Sequence, residues 1–124
     1  MKDRKMSLQY AFRLYLNADG QRVFGKGGAQ ILETIAECGS ITEAAEELDM
    51  SYKFVWNYLS RMRRRLHTPL VETRRGGTQN GKRKGGGGTT LTPTAKLLLK
   101  QFRETERIIQ KSVSSRRITA GRTR

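Results

Sequence analysis

The run from Gly39 to Leu66, GSITEAAEELDMSYKFVWNYLSRMRRRL, constrains this chain more than any other stretch. Ser40-Ile41-Thr42-Glu43 has the capping-box pattern, in which a serine hydroxyl accepts the amide three residues on and the glutamate reaches back. Ile41, Ala44, Ala45 and Leu48 then share one face of a short helix, and the two alanines let a neighbour cross closely. Asp49-Met50-Ser51 is turn chemistry, and Ser51 is a good N-cap for a second helix. In that helix Val55, Leu59, Met62 and Leu66 recur at i, i+4, i+7 and i+11, a buried stripe. Two amphipathic helices this close together must cross at a tight turn and bury their stripes against a third element.

The flanks supply the rest of the core. Residues 9–16 alternate, with Tyr10, Phe12, Leu14 and Leu16 on one face and Arg13 and Tyr15 on the other. Asn17-Ala18-Asp19-Gly20 turns the chain, and residues 21–25 return with Val23 inward, which predicts a β-hairpin. Gly27-Gly28 opens a helix carrying Ile31, Leu32, Ile35 and Ala36 at helical spacing, with Gly39 as its stop. Pro69 ends the arginine-rich helix. Leu70–Arg74 and Thr89–Thr92 read as paired strands around RGGTQNGKRKGGGG, a glycine-rich loop with nothing to bury. Thr92-Pro93 starts a long helix, Thr92 as N-cap and Pro93 at its first position. Ala95, Leu98, Leu99 and Phe102 form its stripe, extended by Ile109 and Val113. Residues 114–124 have almost nothing to bury and read as a disordered basic tail. The expected fold is mainly α with small β elements: a reading unit over residues 8–92, a helix over 93–113, then the tail.

The net charge is +14, from 25 Lys/Arg against 11 Asp/Glu. That excess predicts a polyanionic partner. It is also sorted: residues 26–50 carry one basic and six acidic side chains, residues 51–84 ten basic and one acidic. Such sorting describes an oriented binding surface. No apolar run is long enough to span a membrane, and the N-terminus has no signal-peptide pattern. The single cysteine, Cys38, has no internal partner, reads as a small buried hydrophobe, and fits a reducing cytoplasm. His67 is the only histidine, with no cysteine pair or second histidine beside it, so no metal site, cofactor site or catalytic constellation is expected. The acids of residues 33–49 read as solvated helix faces.

With its stripe inward, the second helix turns Tyr52, Lys53, Trp56 and Asn57 outward near its N-terminal end, where helix-turn-helix proteins touch base edges. Asn57 suits adenine, Lys53 guanine or phosphate, and Tyr52 and Trp56 thymine methyls or sugars. Ser51, Ser60, Arg61, Arg63 and Arg64 suit phosphates, which position a protein without reading sequence. Phe54 and Tyr58 lie beside the stripe and read as core or near-core. In the glycine-rich segment Arg74, Arg75, Lys82, Arg83 and Lys84 either follow the DNA backbone or are incidental charge on a plain loop.

These residues carry a resemblance. GSITEAAEELDMSYKFVWNYLSRM, PLVETRRGG and KGGGGTTLTPTAKLLL resemble the N-terminal DNA-binding domain of the molybdate-responsive ModE regulators and, more distantly, the LysR-type winged helix. The match covers roughly residues 8 to 110, and Ser51–Trp56 and the GGGG run ending in Leu-Thr are its most specific parts. It implies a winged helix-turn-helix, a role in transcription on double-stranded DNA, and a homodimer through the long C-terminal helix, with the N-terminal strands as a further candidate contact. Leu98, Leu99, Phe102 and Ile109 are then the dimer contacts. In the full-length regulators molybdate binds a separate C-terminal domain, so molybdate sensing is not expected to carry over to these residues. The other readings are an architectural protein that coats DNA with little sequence preference, and an interaction module using the same fold to bind protein or RNA.

Overall fold

The computed structural model describes the backbone of residues 6–74, 78–79, 82–83 and 88–119, and the side chains of 6–74 and 88–119. The chain begins with a hairpin of β1 (Leu16–Ala18) and β2 (Gln21–Phe24). Asp19 and Gly20 both have positive φ, 49° and 79°, the pair that a two-residue turn between twisted strands requires. The first strand is shorter than the alternation over residues 9–16 predicts. The return strand ends at Phe24, so the residues before Leu16 have no ladder to join. Phe12, Leu14, Leu16 and Ala18 are still half-buried, but Tyr10 is exposed and does not share their inward face.

Helix α1 (Lys26–Cys38) is the centre of the fold. It buries Gly28, Ala29, Ile31, Leu32, Thr34 and Ile35, while Ala36 faces solvent. Gly28 is where α1 meets the hairpin and a later helix: a Cβ there would lie 2.4 Å from the Phe24 Cβ and 3.0 Å from the Tyr58 ring. Gly39, at φ 71°, closes the helix by donating its amide to the Ile35 carbonyl at 2.7 Å. Cys38 is half-buried rather than core, its Sγ donating to Glu47 Oε2 at 3.2 Å.

Helix α2 (Ile41–Glu47) starts as expected, with Ser40 Oγ accepting the Glu43 amide at 3.1 Å. Ile41, Ala44 and Ala45 are buried. Asp49, at φ 58°, turns the chain. Helix α3 (Tyr52–Leu66) follows, its first turn capped by Ser51 Oγ accepting the Phe54 amide at 3.0 Å. It buries Val55, Leu59 and Met62, with Leu66 half-buried against the same core, and ends at His67 in the left-handed region.

Strands β3 (Val71–Arg74) and β6 (Gly88–Leu91) pair antiparallel, Val71 opposite Leu91 and Arg74 opposite Gly88. The Thr89 amide donates to the Gly39 carbonyl at 2.9 Å, so the base of this wing is docked on the end of α1. Within the glycine-rich segment β4 (Thr78–Gln79) and β5 (Lys82–Arg83) make a further hairpin. A loop without secondary structure is the expectation there, but Asn80-Gly81 is a strong short-range hairpin signal in the sequence.

Helix α4 (Pro93–Ser114) returns across α1. Thr92 is its N-cap, accepting the Ala95 amide at 3.2 Å and donating its hydroxyl to the Pro69 carbonyl at 2.9 Å. Phe102 meets Phe24 edge to face at 5.1 Å, closing the core between helix and hairpin. Ser114 still belongs to the helix, residues 115–119 continue without regular structure, and 120–124 lie outside the described residues. Among the described residues no helix is long and apolar enough to cross a membrane.

Candidate nucleic-acid interface

The surface of α3 is organised by its buried stripe. With Val55, Leu59 and Met62 against the core, Lys53, Asn57 and Arg64 fall on the opposite side, all exposed. Trp56 and Arg63 occupy the flank toward the wing. They line a notch with Leu59 and Ser60, closed by Pro69, Leu70, Val71 and Thr73. Tyr52 projects from the first turn, 51% exposed, and Trp56 is 47% exposed. Ser60, Arg63 and Arg64 also share a recess with His67 at the end of the helix. Ser51 holds the cap, with its hydroxyl engaged by the Phe54 amide.

The other flank carries Phe54, Tyr58, Arg61 and Arg65. Phe54 differs from expectation: it is 51% exposed, because its position on the wheel clears the core that Tyr58, one turn later, still touches. The two rings are 6.2 Å apart, and the Arg61 guanidinium lies 4.7 Å over Tyr58. Arg65 turns the other way and donates to the Arg22 carbonyl in β2. Of the four arginines near the end of α3, this one ties the helix to the hairpin. Arg22 in turn lies 3.6 Å over the Tyr15 ring.

Helix α3 contains no acidic residue. Among the described residues both ion pairs belong to Arg103, with Glu33 and Glu106, so none of the α3 cations is neutralised by a carboxylate. The sequence places Glu33 on a solvated face; the structure pairs it instead with a residue 70 positions away, which leaves no local signal in the sequence. Arg74 is exposed in β3. Lys82 and Arg83 sit in β5, their side chains outside the described residues, as are Arg75 and Lys84 altogether.

The expected dimer contacts divide. Phe102 is buried within the chain against Phe24, so it is committed to the protomer's own core and corrects the expectation. Leu98 and Leu99 are half-buried against the same core, and Ile109 is half-buried further along. Leu97 and Ile108, which lie off the stripe read from the sequence, are exposed on α4, Ile108 at 69%. Among the described residues no group of histidine, cysteine or acidic side chains is placed to hold a metal ion.

The model of bacterial regulatory helix-turn-helix proteins of the LysR family matches residues 28–96, from the start of α1 into α4. The chain is 36% identical over 107 residues to the transcriptional regulator ModE of Haemophilus influenzae, and 43% identical over 77 residues to the molybdenum transport protein ModE of Herbaspirillum seropedicae. These alignments take in 86% and 62% of this chain but only 37% and 26% of those proteins, so the chain spans about a third of their length. Among solved structures, a CbnR DNA-binding domain in complex with DNA superposes at a TM-score of 0.50 and 20% identity, over 69% of this chain and 86% of that one. That likeness is one of fold.

Proposed function

The chain belongs to the LysR family of bacterial regulatory helix-turn-helix proteins, and from that premise we propose that it is a transcriptional regulator that binds double-stranded DNA sequence-specifically as a homodimer. One observation carries the reading: α3 packs one face into the core and turns an acid-free face of Lys53, Asn57 and Arg64 to solvent, flanked by exposed aromatics. A major groove admits a helix of this kind, and its base edges offer the acceptors and donors that Lys53 and Asn57 match. Tyr52 and Trp56 complete the base-reading set. Ser51, Ser60, Arg61, Arg63, Arg64 and Arg74 hold phosphates, and Arg75, Lys82, Arg83 and Lys84 of the wing follow the backbone. Residues 8–92 form the reading unit in this account, and α4 couples two copies through its exposed apolar side chains, Leu97 and Ile108, with Leu98, Leu99 and Ile109 alongside. Two reading helices about 34 Å apart, or a multiple of that, enter successive major grooves. The protein acts on DNA in the cytoplasm.

Selection from a pool of random duplexes tests the proposal. A recovered motif with two-fold symmetry is the expected result. Binding without any enriched motif would instead indicate a protein that coats DNA.

A further inference from the structure

Phe54 has no place in the fold that explains it. It stands at the third position of α3, its backbone amide donating to Ser51 Oγ at 3.0 Å, which places the residue in the capped first turn of the helix. The residue is 51% exposed. Among the described residues its one aromatic neighbour is Tyr58 at 6.2 Å, and it is not one of the side chains that pack against the core. Around it the helix is cationic: Lys53 precedes it, Arg61 lies two turns on over the Tyr58 ring, and no acid is present on the helix.

We propose that Phe54 is a specificity-determining residue that reads the 5-methyl group of thymine in the major groove. This inference rests on the DNA-binding proposal above. Phenylalanine can neither donate nor accept a hydrogen bond, so of the groups that base pairs display in the major groove it complements the thymine methyl. The N-terminal turn of a reading helix is the part that meets base edges. Lys53 and Asn57 face the groove beside it, and Trp56 lies on the far flank, next to the wing. Phe54 therefore reads on the side of the helix away from the wing. Its surroundings choose between occupants: a face whose cations have no carboxylate partner among the described residues attracts DNA and repels a second copy of itself.

The test uses the full chain and the duplex recovered by selection. Each thymine is replaced singly by deoxyuridine, which removes only the methyl group. Wild type, Phe54→Ala and Phe54→Leu are titrated on every duplex and on a scrambled one. Wild type is expected to lose about fourfold in affinity at one or two positions, the worth of one buried methyl. Phe54→Ala should bind the thymine and uracil forms of those positions alike, and Phe54→Leu should retain part of the discrimination. If uracil costs wild type nothing anywhere, or costs Phe54→Ala as much as wild type, the inference is overturned while DNA reading stands. If selected and scrambled duplexes bind equally to wild type, the DNA-reading proposal falls and this inference with it.

Discussion

The Arg103 guanidinium on α4 holds both carboxylate oxygens of Glu33 on α1, through Nε at 2.7 Å and Nη2 at 2.5 Å. Its remaining amino group bonds Glu106 at 2.7 Å. This pairing holds the long helix across the centre of the fold, and the bond to Glu33 is the main reason that the Arg103 pKa is pushed still higher, against the opposing effect of burial. The pair is part-exposed, so its worth is about 1 kcal/mol, the upper end for solvent-accessible ion pairs. Arg103→Met and Glu33→Gln should each lower the unfolding free energy read from urea titration by that order. In a double-mutant cycle Glu33→Gln should cost almost nothing once Arg103 is methionine, whereas Arg103→Met after Glu33→Gln should still cost the bond to Glu106. Fully additive losses would show that the two side chains are not coupled.

Gly28 is where α1, β2 and α3 converge. An alanine methyl would be placed 2.4 Å from the Phe24 Cβ, an atom that cannot move without its backbone. Gly28→Ala should cost about 1–3 kcal/mol, the range for overpacking a filled core. Gly27→Ala, beside it, meets nothing within 4 Å and serves as the control. Thermal unfolding of both variants checks this: equal midpoints would contradict the packing described.

The Cys38 thiol is raised from 9.0 to about 11, chiefly by its hydrogen bond to Glu47, with further contributions from desolvation and the charges of Glu47, Glu43 and Glu37. The bond needs the protonated thiol. Whatever stability it gives is complete below pH 9 and is lost as pH rises through about 11. At pH 8 iodoacetamide should therefore alkylate the folded protein more slowly than the urea-unfolded chain, and Glu47→Gln should speed the folded reaction about tenfold or more, because thiolate is the reactive form. Unchanged rates in Glu47→Gln would remove the carboxylate as the cause.

Helices α2, α3 and α4 are legible in the sequence without their packing, because caps are local. Ser40, Ser51 and Thr92 each accept the amide three residues on, as their spacing predicts. The wing strands and the Asp19-Gly20 turn are legible for the same reason. Phe54 is not, because a helical wheel gives direction but not where the neighbouring elements end. Phe102 misleads in the opposite sense: a stripe on a long helix says that something covers it, not whether that cover is Phe24 of the same chain or another protomer. The Arg65 bond to the Arg22 carbonyl and the Arg103–Glu33 pair join residues far apart in sequence, which no spacing rule reaches.

That Arg65 bond separates one arginine from its neighbours in function. Arg65→Met should reduce stability with little direct change in the salt dependence of DNA binding. Arg63→Met or Arg64→Met should leave folding alone and flatten the slope of log K against log salt by about one for each phosphate that is no longer neutralised. Identical salt slopes for all three variants would contradict the division.

The wing gives a second electrostatic test. If the proposed dimer neutralises roughly 8 phosphates, the salt slope should be about −7. Replacing Lys82, Arg83 and Lys84 together by alanine should weaken selected and scrambled duplexes alike and flatten that slope. Undiminished affinity would make the wing a spectator.

Whether the exposed face of α3 reads sequence is decided by the ratio of affinities for the selected and scrambled duplexes in Asn57→Ala. If Asn57 reads an adenine edge, the ratio should fall about tenfold or more, with binding to the scrambled duplex nearly unchanged. Equal losses on both duplexes, or no loss on either, would mean that this face of α3 does not read sequence through Asn57.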